Sequence, residues 1–372
     1  MKNILITGGA GFIGSNLVKR LLEKRYQVIV LDNLSPQIHG VQAEYTPAFN
    51  TEFIFGDVRR ESDWELALSK ADIVVHLAAE TGTGQSMYEV CRYADTNISG
   101  TAILLDYLVN KKHHIEKVVV ASSRAVYGEG KYKCEEHGIL YPEAREEKEL
   151  SAGIFDPLCP ICKNELLMMP TDEESKIHPS SVYGITKLNQ EQLVLNVCKA
   201  LNISAVAFRY QNVYGPGQSL KNPYTGILSI FSTLILNGKS LNIFEDGNES
   251  RDFVYIDDVV DATIMGMEHN GTGQQVYNVG SGKATTVMEV ATSLKELYQS
   301  TVSINISRNY RLGDIRHNLA DLKRISTELE YEPKVNFKAG ISLFANWVMS
   351  QEVPEDKFDQ SISEMKTKGF FK

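Results

Sequence analysis

The stretch Lys2-Asn3-Ile4-Leu5-Ile6-Thr7-Gly8-Gly9-Ala10-Gly11-Phe12-Ile13-Gly14 restricts this chain's fold more than any other. Ile4 to Ile6 is a short apolar run of the kind a buried parallel strand requires. Glycines follow at 8, 11 and 14, and a helical pattern runs on through Leu17, Val18, Leu21 and Leu22. A second apolar run, Val28 to Leu31, ends at Asp32, 18 residues past Gly14. Strand, glycine turn, helix, strand and acid in this order predict a nucleotide cradle. The glycines admit a pyrophosphate at a helix N-terminus, and the acid accepts from a ribose hydroxyl. An acid here repels a 2′-phosphate, so NAD is expected rather than NADP.

The alternation continues. Glu52 to Phe55 reads as a strand ending in Gly56-Asp57-Val58, where Asp57 either reaches an adenine ring or caps the next helix. Ile73 to Leu77 is a strand ending at Ala78-Ala79-Glu80, whose small residues let a cofactor lie against the backbone. Ser86 to Val109 reads as one helix, and Val118 to Ala121 as a strand running into Ser122-Ser123-Arg124-Ala125-Val126-Tyr127-Gly128. Such alternation predicts an α/β fold with a doubly wound parallel sheet, which binds ligands beyond the carboxyl ends of its strands. Ser123 stands at such an end. Tyr183 and Lys187 lie four apart at the start of a helical pattern, so they share one face. A cation beside a phenol favours the phenolate, which makes Tyr183 a candidate general base.

Composition narrows the class. The chain has 372 residues and a net charge of -9, so no basic footprint for nucleic acid is present. No run of about 18 apolar residues suggests a membrane span, and the N-terminus leads straight into a strand, leaving no room for a signal peptide. Five cysteines form no secreted disulfide framework, so a cytoplasmic setting is expected.

Between Gly130 and Pro179 the alternation breaks. Cys134-x2-His137 is followed, after 21 intervening residues, by Cys159-x2-Cys162. Two paired half-sites have the spacing of a closed, structural four-ligand zinc site. Free thiols in a solvated loop and a Cys159–Cys162 disulfide are the alternatives.

At this point the chain resembles the extended short-chain dehydrogenase/reductases, in their NAD-dependent nucleotide-sugar epimerase/dehydratase branch. The resemblance rests on Thr7 to Gly14, on Ser122 to Gly128 and on Tyr183 with Lys187. It continues through Arg209-Tyr210-Gln211-Asn212-Val213-Tyr214-Gly215-Pro216 and Arg251-Asp252-Phe253-Val254-Tyr255-Ile256-Asp257-Asp258. It implies catalytic roles for Ser123, Tyr183 and Lys187, the last also holding the nicotinamide ribose. It implies cofactor contacts at Gly8, Gly11, Phe12, Ile13, Gly14, Asp32, Asn33, Asp57, Val58 and Ala78. Sugar and diphosphate contacts are implied at Glu80, Asn212, Arg251 and Arg316. An arginine's fixed donor fork suits phosphate, although each could instead be a surface ion pair.

The same resemblance restricts the chemistry. The family's dehydratases carry an Asp-Glu pair just after the catalytic Thr, and its 3,5-epimerases a cysteine; here Arg124 and Ala125 occupy those positions. What remains is removal of hydride from C4 and its return to the other face. The cysteine pairs and the run from Arg209 to Gly226 look like the dTDP-L-rhamnose 4-epimerase group, with UDP-glucose or UDP-N-acetylglucosamine 4-epimerases as the alternative. An inactive NAD-binding regulator and a zinc-centred interaction module are readings from other classes. A homodimer is expected, since helices over Ser86 to Val109 and Val182 to Leu201 carry apolar residues on more than one face and pair across a two-fold axis in this family. The expected organisation is a Rossmann domain over 1–210 containing the 130–179 insert, a substrate lobe over 211–350, and a loosely attached tail over 351–372.

Overall fold

Alternate residues of the apolar runs face opposite sides of one sheet, and both sides are covered. Ile4, Ile6, Val28 and Val30 enter one core cluster, while Leu5, Ile29 and Leu31 enter the other. The computed structural model describes residues 2–40, 45–224, 226–354 and 358–372. Its main sheet contains Asn3–Thr7 (β1), Gln27–Asp32 (β2), Thr51–Phe55 (β3), Ile73–His76 (β4) and Lys117–Ser123 (β5), together with Ser204–Tyr210 and Gln274–Val279. From one edge the order is Gln274–Val279, Ser204–Tyr210, β5, β4, β1, β2, β3, and every pairing is parallel. The order therefore reverses between β1 and β4, which opens the binding crevice of a doubly wound sheet at their carboxyl ends.

Three expectations change. A boundary at 210 does not divide the chain cleanly, because Gln274–Val279 returns to form the sheet edge beside Ser204–Tyr210. The long helix over 86–109 is broken into single turns at Thr83–Ser86 and Val90–Tyr93, a π-turn at Ala94–Ser99 and a helix at Gly100–Asn110. The widened turn seats Asn97, which accepts from Glu80 N at 2.8 Å and donates to Glu80 O at 3.1 Å and to Thr186 Oγ1 at 2.9 Å. Third, the tail is not loose: Phe358–Thr367 is a helix with Ser361 and Met365 buried, and Phe371 is buried beyond it. Of the expected tail, 355–357 lie outside the described residues, as does Thr225 of the Arg209–Gly226 run.

The insert folds on a small antiparallel sheet of Tyr132–Cys134, Gly138–Leu140 and Leu167–Met168. The remaining C-terminal elements build around Ser250–Tyr255, paired with Asn212–Tyr214 and Ala284–Thr286. Among the described residues no helix is long and apolar enough to cross a membrane.

Candidate active site

The helix after β1, Phe12–Glu23 (α1), starts at Gly11 with no side-chain cap, so its first-turn amides stay available to an anion. The cradle is tight. A Cβ on Gly14 would lie 2.2 Å from Gly8 O, and one on Gly8 would lie 2.9 Å from Ala78 N. Gly8 also has φ +70, a conformation that favours glycine. Asp32 ends β2, where its carboxylate accepts from Ala10 N at 3.0 Å and Leu34 N at 2.9 Å. Asp57 is tied to Arg59 through both carboxylate oxygens and to Asn33 Nδ2 at 3.0 Å. The Arg59 bonds hold its carboxyl well below the usual range against the cost of burial. Val58 is buried, and its carbonyl accepts from Trp64 Nε1 at 2.7 Å. These residues fit a dinucleotide. With Asp32 in this position, denaturing the purified protein is expected to release NAD(H), and titration should favour NAD; a clear preference for NADP would contradict the role of Asp32.

The helix Val182–Ala200 is capped by Ser181 Oγ, which accepts from Gly184 N at 3.1 Å. Gly184 lets this helix press onto the end of β5, since a Cβ there would lie 2.5 Å from Ala125 O. That approach brings Tyr183 to Ser123. Burial raises the Tyr183 phenol, while a hydrogen bond with Ser123 and the charge of Arg124 lower it. Arg124 thus adds a cation near Tyr183 that the sequence reading did not weigh. Lys187 is 2% exposed and donates to Gln190 Oε1 at 2.6 Å. Burial pushes its ammonium down to about 7, with Glu191 opposing. Gln190 Nε2 donates to Thr101 Oγ1 at 2.8 Å and lies 3.3 Å from His76 Nε2, and His76 Nδ1 lies 2.7 Å from Thr7 Oγ1. A buried chain therefore runs from Lys187 to the residue before Gly8. Sequence reading missed Gln190 and His76, because only the fold sets β1, β4 and this helix side by side.

The expected substrate contacts separate into free and committed groups. Asn212 Oδ1 is buried without a partner. Glu80 is paired with Arg92 at 2.7 Å. Arg316 corrects the sequence reading. Its guanidinium is 1% exposed and bound to Asp156, Asp246 and Glu245, at 2.7 to 3.1 Å. No donor is left for a ligand. Arg311, which the sequence reading passed over, has a buried Nε with no partner. Arg251 donates to the carbonyls of Ser250, Ile315 and Arg316 and reaches Asp314 at 3.2 Å. Burial would raise the Asp314 carboxyl, but Arg251, Arg311, Arg124 and Arg145 hold it below its usual range. Arg145 is matched by Glu129 and Glu245. Glu249, also near Arg251 and Arg311, is pushed up to about 7 by burial and by Glu245, so it supplies no second full charge at neutral pH. Arg124, Arg251 and Arg311 thus gather around Asp314, and Arg124 and Asp314 line a cleft together with Thr83, Ser180 and Ser181. Arginines gathered at a cleft suit an anionic ligand.

In the insert, Cys134, His137, Cys159 and Cys162 present ligand atoms all within 4.8 Å of one another. Cys134 Sγ lies 3.4 Å from His137 Nδ1 and 3.6 Å from Cys162 Sγ. All five cysteines are free thiols, so the disulfide alternative is not adopted.

Comparison with known proteins agrees with this geometry. A dTDP-L-rhamnose 4-epimerase of Burkholderia thailandensis is 37% identical over 94% of this chain and 96% of its own. The Thermotoga maritima UDP-glucose 4-epimerase bound to UDP-glucose superposes with a TM-score of 0.76 at 31% identity, over 94% of this chain and 99% of its own. The Bacillus cereus UDP-glucuronic acid 4-epimerase, solved with UDP-glucuronic acid and NAD, gives 0.73 at 27%, with the same coverage. The model of the NAD dependent epimerase/dehydratase family matches residues 4–146 and 162–280. On these matches, and on the glycine cradle and Ser123–Tyr183–Lys187 that the fold assembles, the chain belongs to the NAD dependent epimerase/dehydratase family.

Proposed function

We propose that the protein is a nucleotide-sugar 4-epimerase that interconverts dTDP-L-rhamnose and dTDP-6-deoxy-L-talose. The observation that carries the reaction is the junction of Ser123 and Tyr183 beside the arginines gathered at Asp314. Bound NAD supplies a hydride acceptor that is regenerated in each cycle. Tyr183, as phenolate, takes the C4 hydroxyl proton, and Ser123 shares it. Lys187, fixed by Gln190, would hold the nicotinamide ribose. Arg251 and Arg311 hold the diphosphate while the 4-keto sugar turns. Neither Arg124 nor Ala125 can act as a carboxylic acid, which disfavours loss of water. The 37% relative supports the choice of sugar. A UDP-hexose is the second reading, supported by the Thermotoga maritima structure with UDP-glucose. The test is incubation with dTDP-, UDP- and GDP-sugars followed by NMR. Epimer should form from one class, and substrate deuterated at C4 should keep its label there. Washout of deuterium into water would overturn the hydride-return reaction.

The two arginine roles are separable by mutation. Arg311→Ala is expected to raise KM by about 10–100-fold, the worth of one or two hydrogen bonds to a charged group. Arg316→Ala should lower the thermal midpoint with little change in KM, because it strands Asp156 and Asp246. The reverse pattern would restore the original assignment of Arg316.

We further propose that Cys134, His137, Cys159 and Cys162 hold one structural zinc. Thiolates bound at about 2.3 Å in a tetrahedron stand about 3.8 Å apart, close to the 3.6 Å between Cys134 and Cys162. A homodimer through the 100–110 and 182–200 helices fits the exposed Val109 and Ile185; a concentration-independent monomer in sedimentation would exclude it.

A further inference from the structure

We infer that the C-terminal segment 358–372 is a strap that positions Arg311, acting chiefly through Phe371. This rests on the reading of Arg311 as a diphosphate ligand. The last residues pair with the backbone on both sides of Arg311. Tyr310 N donates to Lys372 O at 2.9 Å, Lys372 N to Tyr310 O at 3.1 Å, and Leu312 N to Phe370 O at 3.1 Å. Arg311 itself sits opposite Phe371 in this bridge.

The side chains continue the connection. Phe371 is 4% exposed and meets Phe244 edge-on, with ring centres 5.0 Å apart. The guanidinium carbon of Arg311 lies 4.7 Å from the centre of the same Phe244 ring. A ring face, rather than a carboxylate, therefore sets the direction of Arg311. This differs from Arg316, whose donors are all taken. A cation oriented by a ring keeps its hydrogen-bond donors for a ligand.

The same segment also holds residues next to Thr83, which lines the cleft. Tyr224 OH donates to Glu364 at 2.5 Å and receives from Tyr88 OH at 3.0 Å. Lys368 Nζ lies 5.4 Å from the centre of the Tyr88 ring. Met365 is buried with its sulfur against Gly84, next to cleft residue Thr83. Three segments far apart in sequence, near 84–88, 224 and 310–312, are thus tied to one terminal helix and its last residues. Preorganisation of this kind improves binding by removing the cost of ordering the ligating arm.

Phe371→Ala in the full-length holoenzyme tests the strap, with dTDP against dTMP and UDP against UMP as calorimetric probes. The added phosphate reports on the diphosphate-binding arginines, and Arg311→Ala separates the share of Arg311. The preference of the wild type for diphosphate over monophosphate is expected to shrink by about tenfold in Phe371→Ala, equivalent to one charged hydrogen bond. Arg311→Ala should shrink it at least as far, and the double variant no further than Arg311→Ala alone. KM for the sugar nucleotide should rise while kcat and NAD content stay within about twofold of wild type. Phe371→Leu, which keeps the apolar plug and the backbone bridge, should restore the preference. Loss of the preference in Arg311→Ala but not in Phe371→Ala would overturn the strap alone. An intact preference in Arg311→Ala would overturn the diphosphate role of Arg311, and the strap's function with it. A fall in NAD content and thermal midpoint of Phe371→Ala with the preference unchanged would make the segment purely structural.

Discussion

Tyr183→Phe is expected to lower turnover by about 10²–10⁴-fold, the usual contribution of a positioned general base, while leaving the fold and NAD content unchanged. The hydroxyl is the only group removed, and the phenyl ring still fills the space between the 182–200 helix and β5. The pH profile carries the finer test. Activity requires the phenolate, so turnover should rise with pH through the Tyr183 ionisation. Burial raises that ionisation, and Ser123 and Arg124 lower it. Arg124→Ala removes a cation that favours the phenolate, so the rising limb should move to higher pH. Arg124 cannot act as a carboxylic acid, but its charge near Tyr183 gives it an electrostatic part. A Tyr183→Phe variant with wild-type turnover would remove the tyrosine from the mechanism. An Arg124→Ala profile that coincides with wild type would leave the cationic role to Lys187.

Loss of the insert's metal should have the second large effect. One zinc per chain is expected from protein purified without chelator. Cys134, Cys159 and Cys162 should then resist thiol reagents until the metal is stripped, while Cys91, which is exposed, reacts at once. The insert's own core is small, with Tyr132, Cys134, Cys159 and Leu166 as its buried members. Without the metal it has little to hold it together. The consequence reaches beyond the insert. Arg145 pairs with Glu245 at 2.8 Å, and Asp156 with Arg316 at 3.1 Å. Unfolding the insert takes Arg145 from buried Glu129 and leaves Glu245 with Arg316 alone, and breaking a buried pair typically costs about 3–5 kcal/mol. Cys159→Ser should therefore lower the thermal midpoint markedly and weaken sugar-nucleotide binding, with less effect on NAD. Zinc-free protein with unchanged stability and freely reactive thiols would sink the site.

The cofactor half of the site was legible because its signals are local. The glycine turn, Asp32 and the i, i+4 pair Tyr183 and Lys187 each lie within one strand-turn-helix unit, and short-range sterics and helix geometry place them without help from distant residues. The α/β class followed from the alternation of apolar runs for the same reason. The tertiary structure decided everything that depends on which partner arrives from elsewhere in the chain. Arg316 and Arg311 are five residues apart and alike in sequence, yet Asp156 and Asp246 meet only the first, and the Phe244 ring meets only the second. The helix expected over 86–109 breaks because Asn97 turns inward to bond Glu80 and Thr186. Gln274–Val279 falls within the expected substrate lobe over 211–350 but pairs with Ser204–Tyr210. The tail looks too charged to pack by composition. It is held by a few contacts of Met365, Glu364 and Phe371 with three remote segments, and hydrophobic periodicity within the tail carries no information about those partners.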